Sequence, residues 1–140
     1  DETGLAVVMG HEIAHAVARH ENERMSQALL IETGGLALSA ALDEKPQRTK
    51  DLYMMAYGVG TTVGVQLPYS RSHENEADHL GLIFMAMADY NPREAVGFWQ
   101  RMQQAGGAKP PEFLSTHPAD QTRIENIQSH MPEALSYYRK

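Results

Sequence analysis

Apolar positions recur at helical spacing along most of this chain, and no stretch alternates as a half-buried strand would. The pattern predicts helices over about residues 3–20, 22–42, 48–66, 71–89, 92–105 and 118–130. Asn91-Pro92, Gly106-Gly107, Pro110-Pro111 and Met131-Pro132 mark expected breaks, and Pro68 separates the third helix from the fourth. In the first helix, Leu5, Val7, Val8, Met9, Ile13, Ala14, Ala16, Val17 and Ala18 form an apolar, proline-free run that predicts a buried segment, with Thr3 or Asp1 as N-cap. Phe98-Trp99 reads as core, as do Met54, Met55, Met85, Met87 and Met102. Any sheet would be a short hairpin or come from sequence outside this chain.

Leu52 to Ser70 is free of charge for nineteen residues, which approaches the length of a membrane span. Its glycines and threonines, and its end at Pro68, disfavour insertion. With Gly34 to Leu42 it predicts a helical hairpin, over an active site or as a membrane-facing lid, so membrane proximity through 52–70 is an expectation. Gly58-Val59-Gly60 does not complete a dinucleotide fingerprint, because Val63 stands at the last glycine position.

A chain of 140 residues can bury about two-thirds of its unfolded surface, so one domain over 1–140 is expected. The net charge of −6 comes from interspersed charges with no basic block, which argues against a nucleic-acid partner. The absence of cysteine excludes disulfides and thiol chemistry. Asp1-Glu2-Thr3 has neither the basic nor the apolar region of a signal peptide, so none is expected in this stretch.

The chemistry lies in His11-Glu12-Ile13-Ala14-His15. Residues four apart on a helix differ by about 40° in direction, so His11 and His15 can reach one metal while Glu12 faces a water held there. Neutral imidazole suits Zn²⁺. A catalytic zinc takes three protein ligands and leaves a fourth position for water, whose pKa it lowers to about 7. Glu12 is then the natural proton acceptor. The bland alternative is coincidence, but histidines in an apolar helix need partners, since an unpaired buried polar group costs about 1–3 kcal/mol.

One common arrangement finds its third ligand by extending the motif through a glycine turn to another histidine; here Ala18 and Glu21 hold those positions. On an unbroken helix Glu21 lies about 240° from His15 and His20 about 180° from His11, so neither should ligate. The better source is His73-Glu74-Asn75-Glu76-Ala77-Asp78-His79. Glu74 and Asp78 share a helix face, whereas Glu76 points roughly 200° from Glu74. Glu74 is assigned as the third ligand and Asp78 as the carboxylate that orients a ligand imidazole through its other nitrogen. Taken alone, the same acidic run reads more often as a solvated first helical turn, by about two to one. His20, His73, His79 and His130 carry no motif and are expected to be surface or structural.

Gly10-His11-Glu12-Ile13-Ala14-His15, then Glu74-Asn75-Glu76-Ala77-Asp78, then Ser115-Thr116-His117-Pro118 with Arg123-Ile124 together resemble the signature blocks of the HtpX and CAAX-prenyl-protease type zinc metallopeptidases, in particular the soluble envelope branch of BepA and LoiP. The resemblance implies one Zn²⁺ per chain held by His11, His15 and Glu74, with Glu12 as general base and Asp78 in support. In the family pattern His117 approaches the metal, where it either stabilises the oxyanion or takes the open position as a fourth ligand. From the residues alone, Ser115 to Pro118 reads as a turn into a helix, with Thr116 or His117 near the cap and Pro118 first. Arg123 is a candidate for holding substrate carbonyls or bracing that loop, and a surface role is an equal alternative.

The expected fold is mainly α, a zincin-like metallopeptidase core bundled around the motif helix, without the upstream edge-strand hairpin of the family's α+β fold. The expected function is zinc-dependent endoproteolysis of unfolded or misassembled polypeptides. A zinc-stabilised, chaperone-like binding module with little turnover is the rival, and a metal-free helical interaction domain a further one. The resemblance implies a bacterial periplasm or envelope.

Overall fold

In the computed structural model, which describes residues 1–105, 117 and 119–139, the first helix, α1 (Glu2–Val17), starts at Asp1, whose carboxylate accepts the Gly4 N–H at 2.6 Å. α1 stops short of residue 20 because Arg19 adopts a left-handed φ of 59°, which interrupts the helical ladder. α2 (His20–Ala41) follows directly, then α3 (Gln47–Thr61), α4 (Leu67–Met87), α5 (Glu94–Ala105) and α6 (Gln121–Ser136). No strand occurs among the described residues, and the fold is mainly α.

Two expected breaks are absent. A single π-helical turn, Thr62–Gln66, joins α3 to α4. The Leu67 N–H there bonds Thr62 O, five residues back, and this register shift falls beside Pro68, which has no N–H to continue the α pattern. α6 runs through Pro132 to Ser136, so one lost N–H bond does not end a helix otherwise held by its packing. Gly106-Gly107, Pro110-Pro111, Ser115, Thr116 and Pro118 lie outside the described residues.

The chain forms two compact units, Asp1–Ala18 with His73–Lys140, and Arg19–Ser72. In the first, Val7 of α1, Leu82 and Met85 of α4, Ala95 and Trp99 of α5, and Ile124, Ile127 and Ala134 of α6 form one buried cluster. A large side chain buried in this way contributes about 1.5–3 kcal/mol. α1 buries only one face: Leu5, Met9, Ile13 and Val17 are exposed, which corrects the expectation of a wholly buried segment. Met85 is core as expected, whereas Met55 and Met87 are exposed, so helical spacing alone does not tell which methionines face inward. α1 and α4 meet at Gly10 and Gly81. A Cβ on Gly10 would lie 2.8 Å from Gly81 O, and one on Gly81 would lie 3.0 Å from His11 N. Only paired glycines allow backbones so close, and this approach places Glu74 and Asp78 beside His11.

The second unit is a hairpin of α2 and α3. Tyr57 lies over Gly34 and Gly35 and donates its hydroxyl to Ile31 O at 2.7 Å. Leu42 is its one large apolar side chain classed as buried, while Leu29, Leu30, Leu36, Leu52, Met55 and Val59 are all exposed. No described helix is long and apolar enough to cross a membrane.

Candidate metal centre

α1 presents His11 and His15 one turn apart, with His11 buried and His15 half-buried. Their Nε2 atoms are 3.1 Å apart. α4 brings Glu74 against both, Oε2 to His11 Nε2 at 3.3 Å and Oε1 to His15 Nε2 at 3.2 Å. For bonds of about 2.0–2.1 Å, the edge of a tetrahedral zinc site is roughly 3.3–3.4 Å. The three groups therefore sit at tetrahedral spacing. Two imidazole nitrogens and a carboxylate converging at this spacing are a donor set that suits one divalent cation. Burial pushes the Glu74 carboxyl up, but its contacts with His11, His117 and His15 outweigh burial and hold it well below the usual carboxylate range, as suits an anionic ligand.

His117 completes the group. Its Nδ1 is 3.1 Å from His11 Nε2 and 3.0 Å from both Glu74 oxygens, and its Nε2 is 3.5 Å from Glu12 Oε1. His11, His15, Glu74 and His117 each offer a ligand atom within 4.8 Å of the others. His117 does not cap the following helix: Asp120 does, accepting the Arg123 N–H at 2.7 Å. Glu12 stands at the rim with its side chain half exposed. His20 and Glu21 are absent from the metal-competent group found among the described residues.

Behind the ligands lies a charged pair. Asp78 Oδ1 is 2.8 Å from His11 Nδ1. An ionised carboxylate only accepts, so Nδ1 carries the proton and Nε2 is free for a metal. Burial pushes the His11 imidazole pKa down, and the Asp78 and Glu74 carboxylates outweigh it and raise it overall. Arg123 grips Asp78 with both edges of its fork, Nε to Oδ2 and Nη2 to Oδ1, each 2.7 Å. At 6% exposure Arg123 is interior, which removes the surface alternative. Elsewhere, His79 and His130 stack with centroids 4.1 Å apart, and His79 pairs with Glu133 at 2.7 Å, a structural link between α4 and α6. Gly81 and Trp99 carry no sign in the sequence of a place at the site. Gly10 stands out only as part of a motif, since a lone glycine or a core tryptophan carries no local sign of what it packs against.

A family model for peptidase family M48 matches residues 1–131. The chain belongs to peptidase family M48. Among its relatives, mitochondrial metalloendopeptidase OMA1 of Schizosaccharomyces pombe is 38% identical over 135 residues, covering 95% of this chain and 38% of the relative. The Saccharomyces cerevisiae protein of that name is 34% identical, covering 100% and 40%. A putative beta-barrel assembly-enhancing protease of Vibrio cholerae is 35% identical, covering 88% and 26%. The chain thus spans about two-fifths or less of the length of these curated relatives. No solved structure matches. M48 is a family of peptidases, and the chain carries a group of side chains that could hold a metal ion. The expected bacterial periplasm is corrected by these comparisons: the two yeast relatives and others of that name from plant, cattle and human are described as mitochondrial.

Proposed function

We propose that this M48 chain is the catalytic core of a zinc endopeptidase that cleaves unfolded or misassembled polypeptides, with Glu12 as general base, in a mitochondrial setting like that of its OMA1 relatives. The spacing of His11, His15 and Glu74 carries the reading. Zinc, when bound, supplies a Lewis acid for water and for the scissile carbonyl. His11, His15 and Glu74 would hold it, Asp78 would keep His11 in the binding tautomer, and Glu12 would take a proton from the attacking water and pass it to the leaving amine. X-ray diffraction on either side of the zinc absorption edge tests the ligand set: a peak bonded to His11, His15 and Glu74 supports it, and no peak after zinc soaking removes it.

The position of His117 Nδ1, at ligand spacing from His11 and Glu74, favours a resting site that His117 closes, and with it the rival reading of a binding module of low turnover. His117→Ala is therefore expected to raise the rate of peptide hydrolysis. A fall of about 10²–10³-fold in kcat would instead make His117 an oxyanion donor.

The α2–α3 hairpin is proposed to rest on a lipid surface. Leu29, Leu30, Leu36, Leu52, Met55 and Val59 leave large apolar side chains exposed on the hairpin, and exposed apolar surface of this kind marks a membrane or partner contact. The hydroxyls of Thr33, Tyr57, Thr61 and Thr62 are already satisfied by carbonyls within the hairpin, as a low-dielectric contact requires. The full chain should float with phospholipid vesicles, and Leu36→Lys with Val59→Lys should release it. Flotation unchanged by the pair of lysines would rule out this face.

A further inference from the structure

Trp99 of α5 is 1% exposed and belongs to the core cluster, yet its ring also meets the metal centre on two sides. The Arg123 guanidinium carbon lies 3.4 Å from the ring centroid. The His11 ring approaches the same indole edge-on, with centroids 6.0 Å apart at 68°. Arg123 and His11 are in turn the two groups that bond Asp78. Trp99, Arg123, Asp78 and His11 thus form a closed set of contacts, with only the last of them a metal ligand.

Arg123 has two carboxylates within reach. Its Nε and Nη2 are 2.7 Å from the Asp78 oxygens, and its Nη1 is already 3.4 Å from Glu74 Oε2. A bidentate pair fixes a guanidinium in its own plane but leaves it free to rock about the axis of the pair. If Arg123 rocked or slid toward Glu74, it would donate to the oxygen that a metal needs, and Asp78 would lose its hold on His11 Nδ1–H. A flat aromatic face against the guanidinium opposes that motion, and the negative face of the indole attracts the cation, the more so when the pair is desolvated.

We propose that Trp99 is a positioning residue for the metal centre: its ring holds Arg123 on Asp78 and keeps its contact with Glu74 no closer than the present 3.4 Å, so that Asp78 orients His11 and Glu74 stays available to the metal. The proposal rests on the zinc-site reading of His11, His15 and Glu74. Trp99 touches no substrate and donates nothing to the metal. It acts through Arg123, which separates it from an ordinary core residue.

The test is zinc affinity of the full chain by competition with a chelating dye, with the visible spectrum of the Co²⁺-substituted protein as a second readout, both below the melting temperature of every variant. Trp99→Leu is expected to weaken zinc binding by about 10–100-fold, the loss usual when support behind a metal ligand is removed, and to alter the Co²⁺ bands. Trp99→Phe keeps a ring beneath the guanidinium and retains most of the affinity. The decisive comparison is made in the Asp78→Asn/Arg123→Met background, where the cation is gone and an acceptor for His11 remains. There Trp99→Leu is expected to cause no further loss. An equal loss on both backgrounds, or unchanged zinc affinity and Co²⁺ spectrum in Trp99→Leu, reduces Trp99 to packing and overturns the proposal. Failure of the unaltered chain to bind zinc defeats the peptidase reading and the positioning role together, an outcome distinct from binding without dependence on Trp99.

Discussion

Glu12→Gln is expected to lower peptide hydrolysis by about 10²–10⁴-fold, the usual contribution of a positioned general base, while zinc remains bound. The amide matches the carboxylate in size but cannot take a proton. Glu12 sits at the rim of the site with its side chain half exposed and about 3.5 Å from His117 Nε2, so the substitution disturbs no buried pair and should leave stability within about 0.5 kcal/mol. The measurement is kcat and KM on an unfolded polypeptide, with zinc content determined on the same sample. Unchanged hydrolysis in a zinc-loaded Glu12→Gln protein would remove Glu12 from the mechanism.

The largest effect on stability is expected from Asp78→Ala. Asp78 and Arg123 are both buried and joined by two 2.7 Å contacts. Removing one partner of such a pair costs about 3–5 kcal/mol, because the other charge stays buried without compensation. Here the His11 Nδ1–H also loses its acceptor. Urea unfolding of the metal-free protein should therefore show a large drop in midpoint. Replacing both partners, as Asp78→Leu with Arg123→Met, should recover most of that stability, since apolar groups of similar volume fill the space without a desolvated charge. Zinc affinity should not recover in the double variant, because leucine cannot accept from His11. Asp78→Ala as stable as the unaltered chain would show that Arg123 finds another partner at little cost, Glu74 Oε2 at 3.4 Å being the nearest carboxylate oxygen.

The two expectations differ in kind because the two carboxylates differ in surroundings. Glu12 is accessible to water and meets the site through a 3.5 Å contact with His117, which fits a group that must exchange protons. Asp78 has both oxygens occupied by buried donors, which fits a group that must not.

Local pattern was enough for the helical class of this chain and for the part of the site that depends on helical spacing. His11 and His15 fall on one face because they are four residues apart, and Glu74 and Asp78 fall on one face of another helix for the same reason. The N-cap at Asp1 and the burial of Trp99 and Met85 also follow from nearest-neighbour chemistry and periodicity. Proline misled at two places. Pro68 and Pro132 each lie within continuous helix, because a register shift in one case and a packed helix face in the other absorb the missing N–H. Apolar content misled along α1, whose outer stripe from Leu5 to Val17 is exposed; composition cannot tell which side of a helix has a neighbour.

What only the tertiary structure decided is how far apart the pieces stand. His11, Glu74 and His117 come from distant parts of the sequence, and no periodicity relates them. The crossing of α1 and α4 is set by the contact of Gly10 with Gly81, and each glycine taken alone looks like many others in the chain. Arg123, 6% exposed, lies between Asp78 and Trp99, so a residue for which sequence left a surface role open belongs to the interior. Spacing along a helix is a short-range property that sequence carries directly, whereas the approach of two helices is the outcome of packing all their side chains together.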